Sequence, residues 1–339
     1  MSNKDIYILG IESSCDDTSA AILKNGIVLS NIIANQNIHK KYGGVVPELA
    51  SRAHLSNIIP VIDAALKESN VKLEQISAIA FTRGPGLMGS LIIGTEFSKG
   101  LALSLDIPVI EVNHMQAHIL VHFINNSNLK PTFPFLGVTI SGGHTQFILV
   151  EEHFKMKIIG QTLDDAIGEA FDKCGKKIGL DYPAGPEIDT LAKDGDELKY
   201  EFPLPKVKNG NISYSGTKTA FINFLHKNKL KNKNCIDDNL NDVCASMQKN
   251  LIDNLLNKVE SLSNENNLKT IVFGGGVSAN SYLKSRMKKA SKTNNWKVYI
   301  PKLEYSTDNA AMIGIVGHLK YKESIESNLS STPSPRLTF

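Results

Sequence analysis

The chain has no apolar run long enough for a membrane: nothing uninterrupted in its 339 residues approaches the ~20 that a bilayer span requires. The first strand candidate starts at Ile6, which leaves no space ahead of it for a signal or transit peptide. These absences predict a cytoplasmic protein with no membrane association. Cysteine is scarce too. Cys15, Cys174, Cys235 and Cys244 stand without CxxC spacing, so neither a disulfide framework nor a zinc knuckle is expected, and reduced thiols in packing positions fit better. The chain also lacks a strong charge of either sign. A net charge of +3 does not demand nucleic acid, although lysines gather in residues 226–234 and at Lys206, Lys208 and Lys218. Such runs usually form solvated faces, with a phosphate-backbone contact as the alternative. What is present is the composition of a globular enzyme, 42% apolar and 21% charged, over a length that suits two domains.

The sequence repeats itself. Leu9, Gly10, Ile11, Ser14, Thr18, Ile22 and Leu23 align with Leu136, Gly137, Val138, Ser141, Thr145, Leu149 and Val150 at a constant offset of 127 residues. Each half reads as a strand, a polar or glycine-bearing turn and a second strand, with a third strand expected at 26–34 and again at 154–159. Further on, a strand at 78–82 runs into the glycine loop 83–89, and one at 270–274 runs into the loop 274–280. Two such copies predict two α/β domains, joined near 125–134 where Asn, Lys and Pro replace apolar periodicity. A last helical pattern at 308–321, after a strand at 297–300, is expected to return to the first domain.

His114 and His118 fall four residues apart where an apolar strand pattern at 107–112 gives way to a helical one, so both imidazoles should project from one face. That is the geometry of a metal clamp. Two unrelated packing histidines remain the other reading. The zinc-peptidase helix carries a glutamate directly after its first histidine as general base, but here Met115 stands there, so peptide hydrolysis lacks its base. The stretch Ser306, Thr307, Asp308 and Asn309 reads first as a helix cap, and alternatively Asp308 is the carboxylate that completes a two-histidine site suited to iron or zinc.

Three glycine segments suit phosphate at a helix start. Gly84 to Gly89 formally matches GxGxxG, yet it follows a hairpin sheet and a long helix instead of opening a first βαβ unit, which counts against a dinucleotide. Ser141, Gly142, Gly143 and His144 occupy a hairpin turn, whose plain reading is a turn that needs φ > 0. Gly274, Gly275, Gly276 and Asn280 form the strongest phosphate candidate. Among the acids, Asp16 and Asp17 lie in the first hairpin turn. Asp164, Asp165, Glu169 and Asp172 read as spanning one amphipathic helix with several on one face, most of them solvated or caps, and Asp172 a turn ahead of the loop 181–186.

Taken together, the segments 12–18, 42–52, 84–87, 114–118, 141–145, 168–173, 213–218, 274–280 and 307–309 resemble, in order, the motifs of the bacterial TsaD family, the tRNA threonylcarbamoyladenosine synthase subunits. The resemblance implies an α/β, duplicated actin-like ATPase (ASKHA) fold with two RNase H-like domains flanking a cleft. Its implied limits are 1–128 for the first domain, completed by a helix at 305–325, then 129–304 for the second and 326–339 for a tail. The implied activity is an acyltransferase one: the threonylcarbamoyl group of threonylcarbamoyl-AMP passes to N6 of the position-37 adenosine of tRNAs reading ANN codons, giving threonylcarbamoyladenosine (t6A).

By position, His114, His118 and Asp308 match metal ligands, for one divalent ion per chain, Fe2+ ahead of Zn2+. Thr139, Ile140, Ser141, Gly142, Gly143, Asp172, Gly185, Asp189 and Asn280 match positions that bind substrate or adenine nucleotide. No general base is identified, and phosphate, water or a carboxylate such as Glu12 stand open as acceptors of the amine's proton. Implied partners are tRNA, a paralogous TsaB-like subunit, a TsaE-like ATPase and a TsaC/Sua-type synthase that supplies the donor. Departures are mild: Gln116 and Ala117 replace an acidic-glycine pair, Asp17 stands for glutamate, and Ala184 replaces a glycine, narrowing the backbone freedom of its loop.

Two rival readings are a non-catalytic, nucleotide-dependent scaffold of the tRNA-modification complex, which would not need the ligand trio, and a metallopeptidase, against which Met115 stands. Finally, the helical pattern after Pro47 carries Leu49, Leu55, Ile58, Ile59, Ile62 and Leu66, more apolar positions than one buried stripe needs. Some of them are expected to form a protein interface, tested at Ile58 and Ile62, the other reading being that these side chains simply cover the first sheet.

Overall fold

The computed structural model describes residues 5–125, 130–205, 207–232 and 234–339, with the side chains of residues 37, 38, 40 and 231 set aside. Lys206, Lys233 and residues 126–129 of the expected joint lie outside the described residues. The chain divides into two compact units, Met1–Pro131 with Thr307–Phe339, and Thr132–Ser306.

In the first unit β1 (Tyr7–Glu12), β2 (Thr18–Lys24) and β3 (Ile27–Ala34) make two consecutive hairpins. The second turns on Asn25 and Gly26, at φ 51° and 79°, the left-handed pair that a two-residue hairpin twisted like its strands requires. Then come α1 (Pro47–Ser69), β4 (Ala78–Gly84), α2 (Met88–Leu105) and β5 (Val109–Asn113), which runs straight into α3 (His114–Leu120). The sheet order is β3-β2-β1-β4-β5.

The second unit repeats this plan with β6 (Phe135–Ile140), β7 (Thr145–Glu152) and β8 (Lys155–Gln161), then α4 (Ile167–Lys177), α5 (Gly185–Leu191), α6 (Ser215–Lys231), α7 (Leu240–Glu265), β9 (Thr270–Gly274), α8 (Ser281–Thr293) and β10 (Lys297–Tyr299). Its order, β10-β9-β6-β7-β8, is the same order read from the other edge. The duplication extends to register. Leu9 pairs with Ile22 and Gly10 with Ala21, while Leu136 pairs with Leu149 and Gly137 with Ile148, the same pairs moved by the sequence offset. Because a one-residue slip would turn every side chain to the wrong face, a preserved register means a preserved core. A final helix, α9 (Ala310–Lys322), belongs to the first unit.

Strand alternation then sorts the first unit's faces. Leu9, Ile11, Ile22, Ile79 and Phe81 lie under Ile58, Val61, Ile62 and Ala65 of α1, whereas Ile8 and Ala80 meet Gly317 of α9. Each such side chain taken fully out of water contributes about 1.5–3 kcal/mol. This corrects the expectation for α1: Ile58 and Ile62 are core residues, and the exposed apolar side chains of that helix are Leu55 and Ile59, at 66% and 64%. The acidic helix face is corrected as well. Helix α4 starts only at Ile167, so Asp164 and Asp165 precede it. Asp164 caps α6 by accepting from the Tyr214 and Ser215 N–H groups at 2.8 and 3.1 Å, and Asp165 pairs with Lys173 and Lys218.

Residues 326–339 lie along the first unit. Ser327 bridges Val109 on the free side of β5, Arg83 Nε donates to the Thr332 carbonyl at 3.0 Å, and Asn113 Nδ2 donates to the Thr338 carbonyl at 3.3 Å. Among the described residues no helix is long and apolar enough to cross a membrane.

Candidate metal centre and glycine loops

Strand β5 delivers Asn113 to the start of α3, where its Oδ1 accepts from the Met115 and Gln116 N–H groups at 2.9 and 3.2 Å. This N-cap satisfies amides that the first helical turn leaves without partners and fixes where α3 begins. His114 and His118 therefore stack one turn apart, with Nε2 atoms 3.1 Å from each other. Asp308 reaches them from the approach to α9, its Oδ1 3.4 Å from His114 Nε2 and 3.2 Å from His118 Nε2. Within the expected cap stretch, Ser306 to Asn309, it is not the capping residue. Asn309 takes that role, accepting from the Met312 N–H at 3.0 Å, and this leaves the Asp308 carboxylate free to face the histidines. The three residues can hold a metal ion. Ligands about 2.0–2.1 Å from one ion at tetrahedral angles stand ~3.4 Å apart, close to the separations found.

Behind His114 sits Glu12, fully buried at the end of β1. The His114 Nδ1–H donates to Glu12 Oε2 at 3.0 Å, which leaves the Nε2 lone pair for the ion. Glu12 is itself held, accepting from the Ser14 N–H and from the Thr82 hydroxyl, each at 2.5 Å. Its Oε2 thus orients His114, while Oε1 is anchored to the main chain. Sequence reading missed this support, although a carboxylate ending an apolar strand was the available signal.

The electrostatics favour a cation. Burial opposes charge on His114, but the Glu12 and Asp308 carboxylates outweigh it and raise its pKa well above the usual imidazole value. Burial likewise pushes Asp308 up, and the two histidines more than offset this, holding it well below the usual carboxylate range. Asp17 is pushed up to about 7, first by burial and then by Asp16, Asp308 and Glu12. Burial is the largest contribution to this rise, and the neighbouring carboxylates add to it.

The glycine loop after β4 is closed by the chain itself. The Gly86 N–H donates to the Pro335 carbonyl at 3.2 Å, the Leu87 N–H to the Ser14 carbonyl at 2.7 Å, and the Ser334 N–H to the Arg83 carbonyl at 2.8 Å. Amides already bonded are not offered to a pyrophosphate, so the GxGxxG match carries no dinucleotide site.

The second unit's loops differ. Neither Gly142 nor Gly143 has a positive φ, contrary to the turn expected from sequence, and a Cβ on either would meet nothing within 4 Å. The turn is closed by Ser141, whose N–H donates to the His144 carbonyl at 2.9 Å and whose Oγ accepts from the Gly143 and His144 N–H groups at 3.3 and 3.1 Å. The side chains of Thr139 and Ile140 are fully buried, so main chain is what they have to offer a ligand.

Gly275 lies at φ 91°, and a Cβ there would stand 2.5 Å from the Ile140 carbonyl oxygen. Its glycine is required by the close approach of the β6 and β9 ends. Asn280 caps α8, accepting from the Leu283 N–H at 2.9 Å, and its Nδ2 donates to Gln248 Oε1 at 2.7 Å. Asp189 on α5 accepts from the N–H and the hydroxyl of Ser281, both at 2.9 Å. Asp172 Oδ1 accepts from the Ala184 N–H at 2.8 Å, and burial pushes its pKa up more than the Ala184 and Gly185 amides lower it. Ala184 sits at φ −81°, where alanine is as acceptable as glycine, so this departure costs the loop nothing. Ser141–Gly143 and Asn280 thus follow the adjacent ends of β6 and β9, and hydrogen bonds tie Asp189 to the start of α8 and Asp172 to that of α5.

The family model described as "TsaD: tRNA N6-adenosine threonylcarbamoyltransferase" matches residues 27–315. The chain is 53% identical over 340 residues to the tRNA N6-adenosine threonylcarbamoyltransferase of Christiangramia forsetii, with 100% of both chains covered. It is 53% identical over 334 residues to that of Riemerella anatipestifer, with 98% of each covered. Among solved structures it is similar to full-length HypF in a phosphate- and nucleotide-bound form, with a TM-score of 0.61 and 14% identity, over 96% of this chain and 48% of that one. It is also similar to (R)-2-hydroxyglutaryl-CoA dehydratase component A of Acidaminococcus fermentans, with a TM-score of 0.55 and 15% identity, over 94% and 99%. At these identities the structural likeness speaks to the fold, the duplicated actin-like ATPase architecture.

Proposed function

Since the chain belongs to the TsaD family and is a tRNA N6-adenosine threonylcarbamoyltransferase that forms t6A, we propose that it divides the work by unit, holding a divalent ion in the first and the adenylate donor in the second. The donor is threonylcarbamoyl-AMP and the acceptor is N6 of adenosine 37 in tRNAs that read ANN codons. The amine attacks the carbamoyl carbon, a C–N bond forms, the C–O bond to phosphate breaks and AMP departs while the amine loses a proton. AMP is already a good leaving group, so the protein's tasks are to position, to neutralise charge and to exclude water. The acceptor base lies in a single-stranded loop, where it can be splayed out without opening a helix.

His114, His118 and Asp308 are the ligands of one ion, Fe2+ ahead of Zn2+, since two imidazoles and a carboxylate suit both and leave positions open. When bound, such an ion supplies Lewis-acid polarisation or neutralises phosphate charge. Glu12 keeps the His114 tautomer that ligation needs. In the second unit, Ser141, Gly142 and Gly143 present an open main-chain turn to phosphate, with Thr139 and Ile140 leading into it. Asp172, Gly185, Asp189 and Asn280 line the helix starts that hold the rest of the nucleotide.

The partners are a paralogous TsaB-like subunit and a TsaE-like ATPase, with a TsaC/Sua-type synthase making the donor, all in the cytoplasm. The exposed Leu55 and Ile59 of α1, with Met88 and Ile92 of α2, form the docking face for the paralogue, because apolar side chains this exposed on two packed helices gain most from being covered. Leu55→Asp with Ile59→Asp should break the complex in light scattering while the chain stays folded. The observation that carries the whole reading is the full-length match at 53% identity. Labelled threonylcarbamoyl-AMP, unmodified tRNA and the partners should give label on adenosine 37, and unlabelled tRNA in the complete mixture would refute it.

A further inference from the structure

The chain's positive charge gathers in two acid-free stretches, 202–236 and 281–302, and the second is the shorter and denser. Residues 281–302, covering α8 and β10, hold seven Lys and Arg and no Asp or Glu, against a net +3 for the whole chain, so everything else sums to −4. On other helices and hairpins several cations have an acidic neighbour: Arg52 with Glu48, Lys67 with Asp63, Lys155 with Glu151, and Lys173 with Glu169 are pairs at i and i+4. On α8 this does not happen. Arg286 is bound to Asp253 at 2.6 Å, and Lys302 lies 3.7 Å from Glu304. Among the described residues, Lys284, Lys288, Lys289, Lys292 and Lys297 form no ion pair.

Leu283 and Met287 turn inward, and Lys288, Lys289 and Lys292 face solvent. Lys284, Lys288 and Lys292 recur every fourth residue, a spacing at which like charges repel and work against the helix. Strand β10, at the edge of its sheet, adds the exposed Lys297. The helix starts at Asn280, among the proposed adenylate residues, and its 13 residues carry the lysines away from that point over about 20 Å.

We infer that α8 and β10 form the surface on which the phosphate backbone of the acceptor tRNA lies, leading it toward the nucleotide loops at the start of α8. An unbroken row of unpaired ammonium groups suits a polyanion because each phosphate contact releases condensed counterions, whatever the base sequence. This inference rests on the reading of tRNA as acceptor, and its test separates the two.

Fluorescently labelled, unmodified tRNA is titrated with the full chain between about 50 and about 200 mM salt, the range over which such contacts are read. Lys288→Gln, Lys289→Gln and Lys292→Gln combined should raise Kd at least about tenfold and flatten the log–log salt slope by about 2 to 3. Lys208→Gln, Lys227→Gln and Lys229→Gln combined remove the same charge elsewhere on the unit and should leave Kd within about twofold. Equal weakening by both triples would reduce the effect to net charge and overturn the inference. So would an α8 triple that binds tRNA as the parent does, including one that instead loses an acidic protein partner. A parent chain with no saturable tRNA binding would sink the acceptor reading and this surface with it, whereas a parent that binds and an α8 triple that matches it would sink the surface alone. Circular dichroism melting confirms that each triple is folded.

Discussion

The two units share strand order and hairpin register, yet at equivalent turns they offer opposite chemistry. In the first, the turn between β1 and β2 carries Cys15, Asp16 and Asp17, and in the second the positions 127 residues on are Gly142, Gly143 and His144. One turn collects carboxylates beside Asp308 and Glu12, and the other places two glycines with open space above them next to His144. The loops that follow the next strands differ too: Gly84–Gly89 is bonded to the chain's own residues 334 and 335, while Gly274–Asn280 leads into the cap of α8. A duplicated scaffold thus supplies two similar addresses that differ in a few turn residues, and on the proposed division of labour one takes the cation and the other the phosphate.

The largest effect that would break this contrast is loss of the ion. His114→Ala or Asp308→Ala should abolish bound metal and transfer together while the fold persists, because both side chains serve the site more than the core. Full metal content in either variant by elemental analysis would remove the assignment. Next, Glu12→Gln keeps the shape but withdraws the charge behind His114, and should lower metal affinity by about 10–100-fold in chelator competition. Gly275→Ala should cost about 1–3 kcal/mol of stability in denaturant titration, since it places a side chain at positive φ against the Ile140 carbonyl. Gly142→Ala, with open space around it, should stay within about 0.5 kcal/mol.

The smallest effect concerns pH. Asp17 has a pKa of about 7 in the folded chain and 3.8 as its ordinary value, so between these the folded state binds more protons and metal-free stability falls as pH rises. Asp17→Asn should flatten that fall between pH 3.8 and about 7, and metal loading should shrink the difference, because a bound cation favours the ionised form. Parallel pH profiles of Tm for the metal-free parent and variant would count against a raised pKa at Asp17.

Much of this was legible beforehand because hairpins write themselves locally. The constant offset between Leu9 and Leu136 reappears as matched register, and the helix expected at 308–321 is found at Ala310–Lys322. What sequence could not resolve depends on contacts between distant residues. Two adjacent apolar stripes on α1 look alike in one dimension, and packing alone shows that Ile58 and Ile62 are inside while Leu55 and Ile59 are not. Nothing in the GxGxxG spacing announces that residues 334 and 335 bond to that loop. The place of Asp308 beside His114 came from family resemblance, since no periodicity links positions so far apart. The role of Glu12 required its three partners to be seen together.

The contrast between the two turns is tested most directly by moving one character into the other. Gly143→Asp gives the second unit the acid that Asp16 provides in the first, at a position where a side chain meets nothing. Calorimetric titration with AMP should show Kd raised at least about tenfold, with one metal ion per chain retained and Tm nearly unchanged, as expected for a carboxylate set beside a phosphate in a partly dry site. An unchanged AMP affinity in the folded variant would show that this turn does not receive the phosphate, and the division of labour between the units would fall.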